Sequence, residues 1–561
     1  MTEDPSRSKL EEPASSGSRR SWSPAWTLAL LILLTALLQA SRLPMRWNQI
    51  SFAYAAYFGE YLWWIEQQGP WAALTSYVGI HPPGYSLLFA TMAGLGASPF
   101  AWHALSGLFS VAALPTLMAV ARSGIPAQRL DGPVLAGLGL LVASSPHRIA
   151  YGLEINNYPL LVLMSCLQML TFARMMDSPR SLRSRGLLAM STAGLLWTHA
   201  LGLALPAAQF VTLLVLPEGR QNLRSLLQSL LIAALLCLPL LPGLLEILSG
   251  DSINPALGPK AAWTSMTELL PGRYGSLTAA WAVLSLAGLG ATASLKLPPG
   301  ERLVPLSWLL HCCLATGLIA TMISMGIASA TQLPYWLAPL PSLLLLAGCA
   351  AALSPEPRWQ PSQGLLFRAV TPRRAMIGVM VLCAAVNSSS MLSDFSHART
   401  VRSQAASNYP LIAAATRAWG PQSSLALIQF PQYLDDDKDA IDPIYPLLPL
   451  FERLWFDDPQ VDGMVPFDPF FGQPVRYGDG RWLYTFTSVS LPHLAALHDH
   501  LKSQGRQLII AAYGCSFSER ETNALNRWAQ QQGAKAQLSE DSGLWLWNGQ
   551  QAVPAGATEG P

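Results

Sequence analysis

The chain has 561 residues, of which 51% are apolar and only 12% charged, about half the charged fraction of an ordinary soluble protein. Repeated apolar runs near 20 residues, the length that about 30 Å of hydrocarbon requires, define a polytopic α-helical membrane protein and exclude a single soluble globule. The net charge of +2 conceals a split: residues 393–561 hold 18 acids and 12 bases, so the basic excess sits in the apolar part, where it reports topology rather than a nucleic-acid partner.

In chain order, residues 1–23 form a polar tail expected on the cytoplasmic side. Its Ser18-Arg19-Arg20-Ser21-Trp22 precedes an apolar run, but Leu38-Gln39-Ala40 lacks the small residue that signal cleavage prefers, so the run is expected to remain as the first helix. Eleven spans are predicted, at about 24–42, 100–121, 132–147, 157–176, 187–200, 201–216, 223–247, 278–295, 304–327, 334–353 and 375–392. The apolar segment 83–97 is short and is expected to lie on the surface or re-enter, because a full span there would turn Arg122 and Arg129 outward. With the N-terminus inside, Arg122, Arg129, Arg180, Arg183, Arg185, Arg220, Lys296, Arg302, Arg358, Arg368, Arg373 and Arg374 all face the cytoplasm, as the positive-inside rule requires.

Residues 43–82, 147–156, 248–277, 328–333 and the chain from 393 then share the opposite side, with 187–216 a tight hairpin carrying His199 near its outer tip. The expected units are a transmembrane domain over 24–392 with an outer loop at 43–99, an outer α/β domain over 393–550 and a disordered tail at 551–561. The outer domain rests on strand-like runs at Leu425–Phe430, Trp482–Phe486, Gln507–Ala512 and Leu544–Trp547, with helical spacing at Pro492–Gln504 and Ser518–Gln532. No internal repeat and no paired half-helices suggest a transporter. Cys166, Cys237, Cys312, Cys313, Cys349 and Cys383 fall inside spans and Cys515 stands alone in the outer part; all seven read as small apolar fillers.

Three outward stretches could carry chemistry. The first runs from Asn48-Gln49 through Glu60 and Glu66 to His81-Pro82-Pro83-Gly84-Tyr85-Ser86-Leu87-Leu88, with aromatic residues spaced as in an interfacial helix. The second is Ser145-Pro146-His147-Arg148 continuing to Glu154-Ile155-Asn156-Asn157-Tyr158-Pro159-Leu160. The third is Gln332-Leu333-Pro334-Tyr335-Trp336-Leu337-Ala338-Pro339-Leu340-Pro341. Glu154 and Glu60 are candidate proton acceptors, against the plainer roles of orienting a turn and forming a solvated face. His81 could hold a phosphate or cap the helix begun by Pro82-Pro83. Arg148, Lys260 and Arg273 are outward cations that could contact a phosphate, against the plainer role of interfacial anchors, while His199 and His311 could be functional or simply bonded to backbone. Asp435-Asp436-Asp437-Lys438-Asp439 begins like a calcium loop but has Ala440 for the turn glycine and Pro446 for the closing Glu. No spacing suggests zinc, a nucleotide loop or an esterase elbow, so no metal and no cofactor are expected.

These stretches resemble the GT-C superfamily of integral-membrane glycosyltransferases, in particular the family 39 protein mannosyltransferases and aminoarabinose transferases. His81-Pro82-Pro83-Gly84-Tyr85-Ser86-Leu87-Leu88 is similar to the family's H/K-P-P-L-Y-x-L-L, Glu154-x-Asn156-x-Tyr158-x-Leu160 to its E-x-R-x-Y-x-L, and Tyr335–Pro341 to its R-Y-L-x-P-x-x-P. The resemblance implies transfer of a sugar from a polyprenyl-phosphate donor at the periplasmic face of a bacterial inner membrane, to a protein or glycolipid acceptor. With it, Glu154, Asn48 and Gln49 are catalytic candidates, joined by Glu60 from its place in the outer loop, and His81, Tyr85, Asn156, Tyr158, Gln332 and Tyr335 are substrate-binding ones, joined by His199 as an ionisable group near a span. The sequence departs from the pattern where Asn48-Gln49 replace the acidic pair, Asn156 replaces an Arg, and Leu333 and Pro334 precede Tyr335 in place of an Arg. The alternative is a non-catalytic descendant of the fold that binds lipid or glycan and recruits a partner through its outer part.

Overall fold

The structure, a computed structural model, describes residues 24–40, 70–75, 81–95, 99–153, 156–249, 277–325, 333–354, 371–389, 423–428, 475–476, 482–486, 491–513, 519–532, 536–539 and 544–548. Helices dominate its apolar part: α1 (Pro24–Ala40), α2 (Pro70–Thr75), α3 (Gly84–Gly94), α4 (Pro99–Gly124), α5 (Gly132–Ala143), α6 (Pro146–Tyr151), α7 (Tyr158–Asp177) and α8 (Leu182–Thr198). They continue as α9 (Ala204–Val215), α10 (Arg220–Leu236), α11 (Leu241–Ser249), α12 (Leu277–Leu295), α13 (Pro299–Ser324), α14 (Leu340–Leu353) and α15 (372–389). Their starts follow from local chemistry. Asp131 accepts a hydrogen bond from the Val134 amide at 3.1 Å to begin α5, and Ser181 accepts one from the Ser184 amide at 3.3 Å to begin α8.

Each expected span overlaps a helix, but only three single helices among the described residues are long and apolar enough to cross a membrane: His103–Gly124, Tyr158–Asp177 and Pro299–Ser324. A fourth crossing requires Ala200–Val215 and Pro217–Leu236 to act together, and they bend by 107° at their junction. Gly84–Gly94 is a short helix, the length expected for the segment 83–97.

Two expectations need correction. The span predicted over 223–247 breaks into α10 and α11 around a 3-10 turn at Leu238–Leu240, because Pro239 and Pro242 each remove an amide donor from the helical ladder. The pair 187–216 is not a tight hairpin: α8 packs mainly on α7 and α10, whereas α9 packs on α13 and α10. The 3-10 turn Ala200–Leu203 steers the chain from one set of neighbours to the other.

The core is close-packed around α7. Its residues Tyr158 and Phe172 rank with Trp308 among the largest fully buried side chains. Gln168 on α7 and Gln209 on α9 exchange two amide hydrogen bonds, each 2.7 Å, and Thr171 shares a 2.7 Å hydroxyl contact with Ser191 on α8. Such reciprocal pairs satisfy amides that hydrocarbon could not. The helices α12 and α14 approach so closely at Gly290 that a Cβ there would overlap the Leu346 carbonyl oxygen.

The polar C-terminal part forms a six-stranded sheet from β1 (Ser423–Ile428), β2 (Val475–Arg476), β3 (Trp482–Phe486), β4 (Gln507–Tyr513), β5 (Ala536–Ser539) and β6 (Leu544–Asn548), in the order β2-β3-β1-β4-β6-β5. The β1 strand is parallel to β3 and β4, with Ala426 opposite Tyr484 and Ile510, and the remaining pairings are antiparallel. Helices α16 (Leu491–Ser503) and α17 (Glu519–Gln531) connect β3 to β4 and β4 to β5. These elements coincide with the strands and helices predicted there. The two-residue β2 and the four-residue edge strand β5 are too short for any alternation to announce them.

Candidate functional site

Antiparallel α7 and α8 define two ends of the bundle. Their junction, Asp177 to Leu182, holds Arg180 and lies near Arg183 and Arg185. The other end holds Tyr158 and His199, about 30 Å away for a 20-residue helix.

At that second end four rings from four segments meet. The ring of His81 lies 5.1 Å from that of His199 and 6.0 Å from that of Tyr158, centroid to centroid. Tyr158 lies 5.4 Å from His199 and 6.4 Å from Tyr335, and His199 lies 6.3 Å from Tyr335. Tyr151, the last residue of α6, joins them at 6.4 Å from Tyr158.

Local backbone explains the convergence. Pro82 and Pro83 stop the chain from entering a helix before Gly84, and the Leu87 amide bonds the Pro83 carbonyl to start α3. Gly84 must be glycine here: a Cβ would stand 2.5 Å from the Trp197 carbonyl oxygen. That close approach sets the His81 turn against the end of α8, one residue pair before His199. Asn156 accepts a 3.0 Å hydrogen bond from the Tyr158 amide, an Asx-type turn that starts α7 and buries Tyr158. Tyr335 arrives on the 3-10 turn Leu333–Leu337, which packs against α6 and α7.

Hydrogen bonds then fix the imidazoles. The Asn157 amide nitrogen donates to the Thr198 carbonyl at 3.0 Å and reaches Nδ1 of His81 at 3.1 Å. A carbonyl only accepts, so the amide nitrogen must face Thr198, and Nδ1 of His81 is therefore an acceptor. In His199, Nδ1 accepts from the Leu201 amide at 3.1 Å. Both neutral rings thus carry their proton on Nε2. His199 is fully buried, and its Nε2 has no hydrogen-bond partner among the described residues. Burial pushes the His81 imidazole down to about 4, so it is neutral at ordinary pH.

Several expectations resolve differently. Tyr85 is buried, with its hydroxyl 2.7 Å from that of Ser106 on α4; it anchors α3 rather than joining the ring cluster. Arg148 is not an outward interfacial anchor. It is 3% exposed and donates to the carbonyls of Val142, Ala143 and Ser110 and to the hydroxyls of Ser110 and Thr35. A cation beside a membrane surface reads as an anchor in sequence, yet here the unsatisfied carbonyls at the end of α5 draw it inward. His311 bonds the Ser342 hydroxyl at 2.8 Å between α13 and α14, away from the cluster. Asn48, Gln49, Glu60, Glu66, Glu154, Lys260, Arg273, Gln332 and the acidic run at 435–439 lie outside the described residues.

Sequence reasoning passed over Asn157, Tyr151 and His103. Asn157 was legible as the second of two adjacent amides before a proline-started helix. His103 donates from Nδ1 to the Leu153 carbonyl at 2.6 Å and so fixes the residue before Glu154, a contact between distant segments that no local pattern reveals. Among the described residues no cluster of His, Cys, Asp and Glu could hold a metal ion. The cluster offers aromatic faces and neutral donors, a chemistry suited to a sugar ring or an anionic oxygen.

No protein-family model and no curated sequence matches the chain. Solved structures do. The structure aligns with that of ArnT from Cupriavidus metallidurans bound to undecaprenyl phosphate over 96% of this chain and 100% of that one, with a TM-score of 0.54 at 14% identity. The same protein in the apo state aligns over 94% and 99%, with 0.55 at 13% identity. An archaeal oligosaccharyltransferase, AglB from Archaeoglobus fulgidus, aligns over 67% of this chain and 56% of that one, with 0.45 at 12% identity. The chain therefore shares the fold of ArnT along nearly its whole length.

Proposed function

We propose that the protein transfers a sugar from a polyprenyl-phosphate donor to an acceptor at the extracytoplasmic face of a bacterial inner membrane. The observation that carries this reading is the meeting of His81, Tyr158, His199 and Tyr335 at the arginine-poor end of the bundle. Three of these four residues come from the three stretches that resemble GT-C motifs. The structural likeness to a protein solved with undecaprenyl phosphate supports a donor of that chemical kind.

In this reading the acceptor oxygen attacks the anomeric carbon while the bond from that carbon to the phosphate oxygen breaks. The acceptor proton passes to the Glu154 carboxylate, and the phosphate leaves with the bonding electron pair. His81 and Tyr335 stand at the phosphate end, Tyr158 against the sugar, and Asn48, Gln49, Glu60 and Gln332 hold donor or acceptor by hydrogen bonds. The polar C-terminal part shapes or receives the acceptor. Tyr85 and Asn156 act through α3 and the start of α7.

One observation favours the second reading, a lipid- or glycan-binding protein without turnover: Asn48-Gln49 stand where the resembled family has an acidic pair. Incubation of purified protein with a panel of labelled polyprenyl-phosphate sugars separates the two. Turnover that Glu154→Gln lowers at least about a hundredfold, the loss expected for a general base, supports the enzyme. Binding without turnover across the panel supports the binding protein.

A further inference from the structure

We propose that the groove between α8 and α10, at the arginine-rich end of the bundle, holds an anionic phospholipid. Its headgroup phosphate lies between Arg183 and Arg224, and its acyl chains follow the exposed apolar side chains beyond them. The site is at the opposite end from the ring cluster and does not depend on what that cluster binds.

The two helices run side by side in the same direction. Near their starts Arg185 donates to the side-chain oxygen of Gln228, and near their ends Nε1 of Trp197 donates to the Leu236 carbonyl at 3.1 Å. The Ser225 hydroxyl donates to the Pro179 carbonyl at 2.8 Å and ties the loop before α8 to the first turns of α10. Arg183 and Arg224 stand two and four residues before the Arg185–Gln228 contact, so their levels differ by only about 3 Å along the helix axes.

Helical spacing decides which way they face. On α8, Arg183, Leu187 and Met190 recur every three or four residues and are all exposed; on α10, Arg224, Leu227 and Leu231 do the same. With about 100° of rotation per residue, the α8 stripe lies clockwise of its contact face and the α10 stripe anticlockwise. For parallel neighbours that is the same side of the pair. The two stripes therefore line one groove, with cations at its end and hydrocarbon along it, the order of groups that a phospholipid presents.

Charge complementarity selects the headgroup. Elsewhere at this end a cation meets a carboxylate, as Arg302 does with Glu218 and Arg373 with Asp131. Arg183 and Arg224 are exposed, and neither has an ion-pair or hydrogen-bond partner among the described residues. Residues 174–224 hold six arginines against two acids, Asp177 and Glu218, and Glu218 is the carboxylate bound to Arg302. The surplus favours a headgroup of net negative charge over a zwitterionic one, whose ammonium the arginines repel. Guanidinium forks match phosphate oxygens in geometry, and basic pockets between spans hold anionic headgroups. The first amides of α10, which have no side-chain cap, add the positive end of that helix to the same region.

The test is native mass spectrometry of the full chain released from micelles. The probes are dioleoyl phosphatidylglycerol, dioleoyl phosphatidylcholine and glycerol phosphate. Wild type is expected to retain phosphatidylglycerol in preference to phosphatidylcholine. Arg183→Gln and Arg224→Gln should each lower phosphatidylglycerol affinity about fivefold, and together about twenty-five-fold, the worth of basic residues beside an anionic headgroup. Arg183→Lys with Arg224→Lys, which keeps the charge, should recover most of the loss. Arg122→Gln with Arg129→Gln removes the same charge from the same end outside the groove and should change affinity less than about twofold, because exposed charges at a distance are screened. Equal losses from the two pairs of substitutions would show attraction to the surface at large and overturn the proposal. So would equal retention of the two lipids, or displacement of phosphatidylglycerol by glycerol phosphate at equal concentration, which would assign the arginines to a soluble phosphate. A wild-type dimer that the double glutamine variant dissolves would give the groove to a second copy of the chain and overturn it likewise.

Discussion

The two ends of the helix bundle treat charge in opposite ways. At the end marked by Arg122, Arg129, Arg180 and Arg183, cations are paired with carboxylates near the surface. Arg302 meets Glu218 at 2.6 Å and Arg373 meets Asp131 at 2.9 Å, with Asp131 48% exposed. At the other end Arg148 is sealed among carbonyls, and the convergent groups are two imidazoles, three phenols and an amide. Exposed cations are kept on one side of a bilayer, and the proposed topology puts the first arrangement on the cytoplasmic side. The second is preorganised and largely dry, which is what binding an anion or a sugar requires. Paired cations and convergent neutral groups thus sit at opposite ends of the same helices.

The sharpest way to break this contrast is to remove the sealed cation. Arg148→Met leaves the carbonyls of Val142, Ala143 and Ser110 without their donor, a loss of roughly 3 kcal/mol or more. Unfolding of the purified variant should shift accordingly and ligand binding should fall with it; an unchanged transition would show that water replaces the guanidinium. Next in size is Gly84→Val. A Cβ so close to the Trp197 carbonyl must push the His81 turn from the end of α8, and affinity for undecaprenyl phosphate should drop about tenfold to a hundredfold, a loss of one to two factors of ten. Helical content by circular dichroism should stay as in wild type.

A change of pH sharpens the contrast from the other side. His81 is held down to about 4 in the folded protein, against about 6.5 for a free imidazole. The unfolded chain therefore binds the extra proton between those values, so stability is fully present above about pH 6.5 and is lost as pH falls toward 4. His81→Gln should flatten that part of the profile in detergent. At the paired end, Arg302→Ala should leave the unfolding transition almost where it is, since the ion pair with Glu218 is partly exposed. Equal losses for Arg302→Ala and Arg148→Met would erase the distinction between the ends.

Much of the helical frame was legible in the sequence, for a physical reason: hydrocarbon demands long apolar runs, and composition marks them whatever the tertiary context. The breaks were harder to read. Pro239 and Pro242 sit in an apolar run that reads as continuous, although each denies the ladder a donor, and Pro217 with Gly219 permits the 107° bend. At the site, His81, Tyr158, His199 and Tyr335 were all singled out from sequence and the structure brings them together. Tyr85 was drawn in by its motif, but its neighbour in space is Ser106, twenty-one positions along the chain. Asn157 was passed over although its place, the second of two adjacent amides before a proline-started helix, was visible; its bonds to Thr198 and His81, far along the chain, were not.

The account stands or falls on the two ends facing opposite compartments. The most direct measurement places single cysteines in a cysteine-free background, one replacing Trp71 and one replacing Arg183, both exposed. Trp71 lies on α2, which packs against the turn after α10 near the ring cluster, whereas Arg183 opens α8 at the other end. In intact spheroplasts a membrane-impermeant thiol reagent should label Trp71→Cys, and should reach Arg183→Cys only after permeabilisation. Labelling of both from outside, or of Arg183→Cys alone, would contradict the account.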